Sequence, residues 1–220
     1  MLASIATNVT AGFVFPDGGT SHPADVIFQT AEDGLADTIK PRLERMGADC
    51  SKIHAIDDDD KALSLADERI EQAIVKTKAK LLVLDPLQAF LGGANINAAS
   101  GIREQMKKLA GVAERTGCAV VIIGHLNKGK GQKSQYRGLG SIDIVAAARS
   151  VLTVGRLDSG QNMRAFIQTK SNLAPTGEPQ AFELDHIFGL VWHGKCDITI
   201  DDLLNCNQLK LSRSKMPSEP

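Results

Sequence analysis

The stretch Lys80-Leu-Leu-Val-Leu-Asp85 decides the fold class of this chain. Its hydrophobic residues do not alternate with polar ones, which is typical of a strand covered on both faces of a parallel sheet. Segments of similar character predict further strands at 25–30, 52–56 and 118–124. Amphipathic segments predict helices at 2–12, 35–46, 65–75 and 98–115. This alternation of strands and helices predicts an α/β fold with a mostly parallel sheet.

The pattern changes at residue 150, where short strands follow one another without helices between them. These predicted strands are 150–155, 163–169, 180–184 and 187–192. We expect them to extend the parallel sheet as antiparallel edge strands. After residue 198 the sequence is polar and shows no periodicity, so we expect a core over 1–198 and a poorly ordered polar tail over 199–220.

The composition excludes several classes of protein. The chain has 220 residues, of which 43% are hydrophobic, and its 25 Lys and Arg against 26 Asp and Glu leave a formal charge of -1. This balance is that of an ordinary globular protein, and any contact with nucleic acid has to be local. The four cysteines form no C-x-x-C pair, and no apolar run is long enough to span a bilayer. We expect a cytoplasmic protein without a membrane partner.

Polar side chains stand at the carboxyl ends of three predicted strands. Glu32 follows the strand at 25–30, Asp85 closes the central strand, and His125 follows the strand at 118–124. The carboxyl ends of parallel strands form one edge, where open α/β sheets bind ligands. Two carboxylates suit a metal-bound phosphate and an attacking water, and a histidine can hydrogen-bond a terminal phosphate.

Each of these residues also has an ordinary interpretation. Asp85 alone is equally compatible with a solvated strand end, and His125 with a hydrogen-bonded residue of no special role. Asp33, next to Glu32, is predicted to cap the helix that begins near Leu35.

A glycine-rich loop with four basic residues follows His125. One aromatic residue, Tyr136, accompanies the cations, which are Lys128, Lys130, Lys133 and Arg137. A cationic loop of this kind suits the backbone of single-stranded DNA, although a merely solvated loop has the same composition.

No phosphate-binding loop is visible in the chain. The segment 124–130 fits G-x-x-x-x-G-K, but Gly131 stands where Ser or Thr is required and no helix follows directly. No strand is followed by G-x-G-x-x-G either, which argues against the alternative of a dinucleotide-dependent small-molecule enzyme.

Five blocks, in this order, resemble the RecA-like ATPases of the RepA and DnaB hexameric-helicase type. They are Gln29-Thr-Ala-Glu-Asp-Gly34, Leu81-Leu-Val-Leu-Asp-Pro-Leu-Gln-Ala-Phe90, Ile123-Gly-His-Leu-Asn-Lys128, Tyr136-Arg-Gly-Leu-Gly-Ser-Ile-Asp143 and Ala148-Arg-Ser-Val-Leu-Thr-Val-Gly-Arg156. Such AAA-family ATPases often occur on phages and mobile elements, commonly beside primase domains. The resemblance covers 2–192.

The resemblance implies a three-layer RecA-like fold, ATP and Mg²⁺ as cofactors, and a role for each site residue. Asp85 resembles the Walker B acid that holds Mg²⁺ through water, and Glu32 resembles the glutamate that polarises the attacking water. His125 resembles the sensor of the terminal phosphate. Arg164 and Lys170 resemble basic residues that reach a neighbouring subunit's ATP site.

One departure from the family affects the expected activity. The family's phosphate loop lies just before the helix that here begins at Leu2, so we expect its strand and loop to be missing and a sheet edge to be unpaired. The implied function is ATP hydrolysis coupled to movement of a hexameric ring on single-stranded DNA, with primase as a further partner. The chain alone is expected to hydrolyse ATP poorly. The alternative is a non-catalytic DNA- or subunit-binding module derived from such an ATPase.

Overall fold

The computed structural model of the chain describes residues 1–92, 99–125, 142–157 and 162–205. The chain divides into two compact units, Met1–Ala148 and Arg149–Pro220. The core expected over 1–198 is therefore split between them. In the part of the chain that the structure describes, no helix has the length and apolar character needed to cross a membrane.

The first unit contains a four-stranded parallel sheet in the order β2-β1-β3-β4. Its elements are α1 (Leu2–Ala11), β1 (Val26–Thr30), α2 (Lys40–Arg45), β2 (Ile53–His54), α3 (Glu68–Thr77), β3 (Leu81–Asp85), α4 (Ala99–Thr116), β4 (Ala119–Ile122) and α5 (Ile142–Ala147). The parallel sheet predicted from the apolar runs is confirmed, with β3 between β1 and β4.

Both faces of this sheet are covered, which explains why its strands are continuously apolar. Alternate residues of β3 point to opposite sides. Leu82 and Leu84 pack with side chains of α3, α4 and α5, whereas Leu81 and Val83 pack with side chains of α1 and α2. All four leucine and valine side chains are buried, with 4% exposure or less. The result is the expected three-layer, RecA-like α/β arrangement.

A glycine marks the end of α1, and a proline lies at the start of α2. Gly12 ends α1 in the left-handed region at φ 71°, which favours glycine. The helix predicted over 35–46 divides into a π-helical turn at Leu35–Ile39 and α2. Pro41 stands in the first turn of α2, where its missing amide hydrogen leaves no helical bond unmade.

The second unit is built on a separate antiparallel sheet in the order β5-β6-β7-β8. Its strands are β5 (Ser150–Arg156), β6 (Met163–Ser171), β7 (Gln180–Asp185) and β8 (Gly189–Lys195), followed by α6 (Ile200–Asn205). The antiparallel strands expected after residue 150 are thus present. Within the described residues they pair with one another and not with β4, because each strand finds its sequence neighbour through a short connection.

The segment expected to be an irregular tail begins with the helix α6. Leu203 of α6 is buried in the core of the second unit, against Gly155 of β5. The sequence carried two signals of this helix that the expectation of a tail overlooked. They are the apolar residues Ile200, Leu203 and Leu204, and a capping box in which the Thr199 hydroxyl accepts from the Asp202 amide at 3.2 Å and the Asp202 carboxylate accepts from the Thr199 amide at 3.0 Å. The rest of the expected tail, 206–220, lies outside the described residues.

Candidate functional site

The register between β1 and β3 places Glu32 beside the end of the central strand. Thr30 pairs with Asp85, and the Ala31 amide donates a hydrogen bond to the Asp85 carbonyl oxygen at 2.9 Å. The Thr30 hydroxyl oxygen then accepts hydrogen bonds from the amides of Glu32 and Asp33, at 3.4 and 3.2 Å. The turn after β1 is therefore tied to the same edge of the sheet that carries Asp85.

The register between β3 and β4 places His125 at this edge as well. Leu84 pairs with Ile122, and the Ile123 amide donates to the Leu84 carbonyl oxygen at 2.9 Å. His125 follows two residues later, and its Nε2 atom lies 3.5 Å from Oε2 of Glu32. Both of these side chains are 60% exposed. The structure therefore brings Glu32, Asp85 and His125 together at the carboxyl edge of the parallel sheet.

The carboxylate of Asp85 lies in an unfavourable environment for its charge. Burial raises the pKa of Asp85 above the usual range of an aspartate, and the negative charges of Glu32 and Asp33 add to the rise. His125 acts in the opposite direction. A half-buried carboxylate beside two others is a place where a bound cation would be stabilised.

The first turn of α1 also lies within electrostatic reach of this edge. The positive charge of the Met1 amino group acts on the Asp85 carboxylate. Burial lowers the pKa of that amino group to about 6, and the nearby Arg42 guanidinium contributes to the decrease. The amino end of α1 and the acidic edge therefore belong to one region of the first unit.

Asp33 does not cap the helix that follows it, contrary to the expectation from the sequence. The residue at the cap position is Gly34, and no side chain caps the turn. The Asp33 carboxylate instead accepts a hydrogen bond from Nη1 of Arg42 at 2.7 Å. The Asp33 carboxylate pairs with the charge of Arg42 and does not cap the helix. Arg42 lies about two turns beyond the predicted helix start at Leu35, so the local sequence gives no sign of the contact.

Gln29 is a residue near the site that the sequence interpretation missed. Its side chain is buried in β1, where Oε1 accepts a hydrogen bond from the Ile56 amide at 2.9 Å. Its Nε2 atom donates to the Asp58 carboxylate at 3.1 Å. Gln29 thus attaches the acidic segment after β2 to the strand that leads into Glu32. The signal for it was a single polar residue inside an apolar strand.

The residues present fit part of the requirements of Mg²⁺ and ATP. Among the described residues no group of three or more His, Cys, Asp or Glu could hold a metal ion by itself. Mg²⁺, however, usually keeps several waters and takes only one or two carboxylates together with substrate phosphates. Asp85 and Glu32 meet that demand. The Gly-rich cradle for the phosphates has no counterpart in the sequence of the chain.

The second unit holds the two remaining candidate residues of the resemblance. Arg164 and Lys170 both lie on β6, six residues apart. At about 3.3 Å per residue their Cα atoms are roughly 20 Å apart, so the two side chains cannot contact the same terminal phosphate. The four basic residues predicted to bind DNA, in the loop after His125, lie outside the described residues.

A shallow depression of about 540 Å³ lies elsewhere on the first unit, at the start of α3. Arg69 lines it, but the guanidinium of Arg69 donates to the main-chain carbonyls of Asp57 and Lys61, at 2.9 and 2.8 Å. None of the predicted site residues lines this depression. Arg69 is used to hold the acidic segment in place, and the depression adds nothing to the chemistry of the site.

The parallel sheet and its acidic carboxyl edge define an α/β protein of the RecA-like ATPase class. The chain belongs to the AAA domain family, whose family model matches residues 1–131. No curated protein matches the chain. Family membership makes the first unit an ATPase-type module and implies the use of a nucleotide and of Mg²⁺.

Proposed function

We propose that the chain is the ATP-binding core of a DNA helicase of the RepA and DnaB type. The observation that carries this proposal is the meeting of Glu32, Asp85 and His125 at one sheet edge, with Glu32 and His125 3.5 Å apart. Carboxylates from neighbouring strands, with a histidine beside them, are the groups that phosphoryl transfer to water needs.

Each residue has a separate task in this proposal. Asp85 would hold Mg²⁺, which when bound would neutralise charge on the nucleotide phosphates. Glu32 accepts a hydrogen bond from the attacking water and orients it, and its exposed carboxylate is free to reach that water. His125 donates a hydrogen bond to the terminal phosphate, and its contact with Glu32 changes when that phosphate leaves.

The proposal includes a ring of subunits in the cytoplasm that moves along single-stranded DNA, with a primase as companion. One basic residue of β6 reaches the ATP site of a neighbouring subunit. The two candidates for this role are Lys170 and Arg164. The loop residues Lys128, Lys130, Lys133 and Arg137 contact the DNA backbone.

The test of the nucleotide site uses ATP hydrolysis and Mg²⁺-dependent ATP binding. The chain alone is expected to hydrolyse ATP at background rate, and a version preceded by a strand and a G-x-x-x-x-G-K-[ST] loop is expected to hydrolyse it. In that version Glu32→Gln and Asp85→Asn should each lower the rate at least a hundredfold. Asp60→Asn, a charge-matched change at an exposed residue, is the control. Equal rates in all three variants would refute the site.

A second candidate function is a docking module that binds complete ring subunits. It is favoured by the exposed edge of the parallel sheet, since β4 pairs only with β3 among the described residues. A strand from another subunit could add to this edge. Adding the chain to a complete ring ATPase distinguishes the two functions: a docking module changes the ring's rate, and the change does not depend on Asp85.

A further inference from the structure

One face of the antiparallel sheet carries a row of two arginines and two aromatic residues. The strand registers place Arg156 opposite Arg164, Arg164 opposite Phe182, and Phe182 opposite Trp192. The four residues thus form a line across all four strands, β5 to β8. With about 4.8 Å between strands the row is roughly 14 Å long. We call it the cross-strand row.

The two arginines of the row lack a counter-charge among the described residues. Their positions are directly opposite each other, an arrangement of like charges that costs stability. Neither forms an ion pair with a described Asp or Glu, and the registers place no acidic residue of β5 to β8 on this face. Burial lowers the pKa of Arg164, and the Arg156 charge adds to the decrease. The face is therefore complementary to an anion.

The aromatic residues of the row belong to a cluster in which Phe182 is buried, with 2% exposure, whereas Trp192 and the neighbouring Phe166 are only partly buried. The ring of Trp192 lies 5.9 Å from that of Phe166 and 5.5 Å from that of Phe182, both edge-on. Leu152 and Leu184 on the same face are 45% and 39% exposed. An apolar surface next to uncompensated cations suits a ligand with flat rings and negative charges.

Two buried polar atoms of this face also lack a partner. Nε1 of Trp192 and Oε1 of Gln180 are shielded from solvent and make no hydrogen bond in the described structure. Gln180 stands opposite Phe166 on this face and is 8% exposed. Unsatisfied buried polar atoms are rare in folded proteins, so these two atoms mark a place on this face where the polar groups of the sheet are not fully paired within the described residues.

We propose that this face of the antiparallel sheet binds single-stranded nucleic acid, with Arg156 and Arg164 on the phosphates and Trp192 and Phe166 against the bases. Four-stranded sheets that stack two or three bases on aromatic side chains are an established solution to this task. The phosphodiester backbone supplies the negative charge, and unpaired bases supply the flat rings. The inference deepens the DNA-binding part of the proposed function and rests on it.

The binding is measured on the full chain without nucleotide, with oligothymidine of about 15 residues as the probe. Trp192 is the only tryptophan in the sequence, so its fluorescence reports on this face alone. Stacking of a base is expected to quench that fluorescence. A DNA duplex should not quench it, because its bases are stacked inside. Oligouridine in place of oligothymidine tells whether the ligand is RNA or DNA.

The variants test the arginines by their effect on affinity and salt dependence. Arg156→Gln with Arg164→Gln should weaken oligothymidine binding at least tenfold and lower the slope of log K against log salt by about 1.4, which is two contacts at about 0.7 each. Arg156→Gln alone, at an exposed residue, should lower it by about 0.7. The control is Lys76→Gln with Lys107→Gln, which removes the same charge from exposed positions of α3 and α4 and should change neither quantity.

Each of four results would overturn the inference. The first is binding of oligothymidine, measured by anisotropy, without any quenching of Trp192. The second is equal affinity of the arginine double variant and the lysine control. If instead replacement of Lys128, Lys130, Lys133 and Arg137 by Ala is the only change that abolishes binding, the sheet face is refuted and the helicase proposal stands. If no form of the chain binds oligothymidine, the DNA-binding parts of both proposals fail, while the nucleotide site is judged by the hydrolysis test alone.

Discussion

Replacing Gln29 by Leu tests whether a buried amide holds the acidic segment after β2 in place. The Gln29 side chain is 2% exposed and bridges two elements, accepting from the Ile56 amide at 2.9 Å and donating to Asp58 at 3.1 Å. Leucine has a similar volume but neither a donor nor an acceptor. The substitution therefore leaves the Ile56 amide without a partner and changes the packing little.

The expected loss follows from these two contacts. A buried amide without a hydrogen-bond partner lowers the stability by about 1–3 kcal/mol, and the loss of a hydrogen bond to a partly buried carboxylate lowers it by roughly 1 kcal/mol more. Gln29→Leu should thus lower the free energy of unfolding by about 2–4 kcal/mol, and the melting temperature by roughly 5–15 °C for a unit of this size. Gln29→Ala should cost more, since it also opens a cavity.

Thermal unfolding followed by circular dichroism measures the overall loss, and amide hydrogen exchange at Ile56 measures the local one. Asp58→Asn is the matched control, because it retains an acceptor for Gln29 and should cost less than about 1 kcal/mol. A Gln29→Leu protein with wild-type stability and a still-protected Ile56 amide would refute the assignment of Gln29 as a bridge.

Three further changes test other parts of the structure. Asp85→Asn should raise the melting temperature at pH 7, because burial and Glu32 raise the pKa of Asp85 and its ionised form destabilises the fold; the gain should shrink as the pH falls toward about 4. Gly155→Ala would place Cβ 2.6 Å from Cγ of Leu203 and should cost about 1–3 kcal/mol in urea unfolding. Glu71→Gln removes the negative charge and one of the two acceptor oxygens that receive hydrogen bonds from Arg115 at 2.9 and 2.7 Å. Since Arg115 lowers the pKa of Glu71, this pair stabilises at neutral pH, and the variant's deficit in melting temperature should vanish at acid pH.

Matched controls and contrary outcomes accompany these changes. Gly177→Ala places its Cβ no closer than 3.7 Å to a neighbouring atom, so it should be tolerated where Gly155→Ala is not. Similar stability of the two alanine variants would contradict the close packing of α6 on β5. A lower melting temperature of Asp85→Asn at pH 7 would contradict the unfavourable environment of that carboxylate. A Glu71→Gln deficit that does not depend on pH would contradict an electrostatic role for the pair with Arg115.

Much of the first unit could be predicted from local sequence. Continuous apolar runs identify strands that are buried on both faces, and β1, β3 and β4 lie where such runs occur. The placement of Glu32, Asp85 and His125 at one edge follows from parallel topology, because all carboxyl ends of a parallel sheet point the same way. These three candidate site residues could therefore be identified from the sequence, before any tertiary contact was known.

Contacts between segments that are far apart in the sequence could not be predicted from local sequence. The pairing of Asp33 with Arg42 and the bridge made by Gln29 depend on how a helix and a loop return to the sheet. The short helix α6 escaped notice because it has only six residues, although Thr199 and Asp202 form a capping box at its start and Leu203 packs against Gly155.

The sequence by itself determined the class of fold, the order of its strands and helices, and the edge at which the acids of the first unit gather. The tertiary structure alone decided that the antiparallel strands form their own sheet and that Arg156, Arg164, Phe182 and Trp192 stand in one row. The physical reason is that a buried strand needs apolar residues in its own sequence, so each strand can be recognised separately. Register between strands arises from bulges and turns that shift every side chain at once, and two such bulges, at Thr169 of β6 and His193 of β8, set the registers across this sheet.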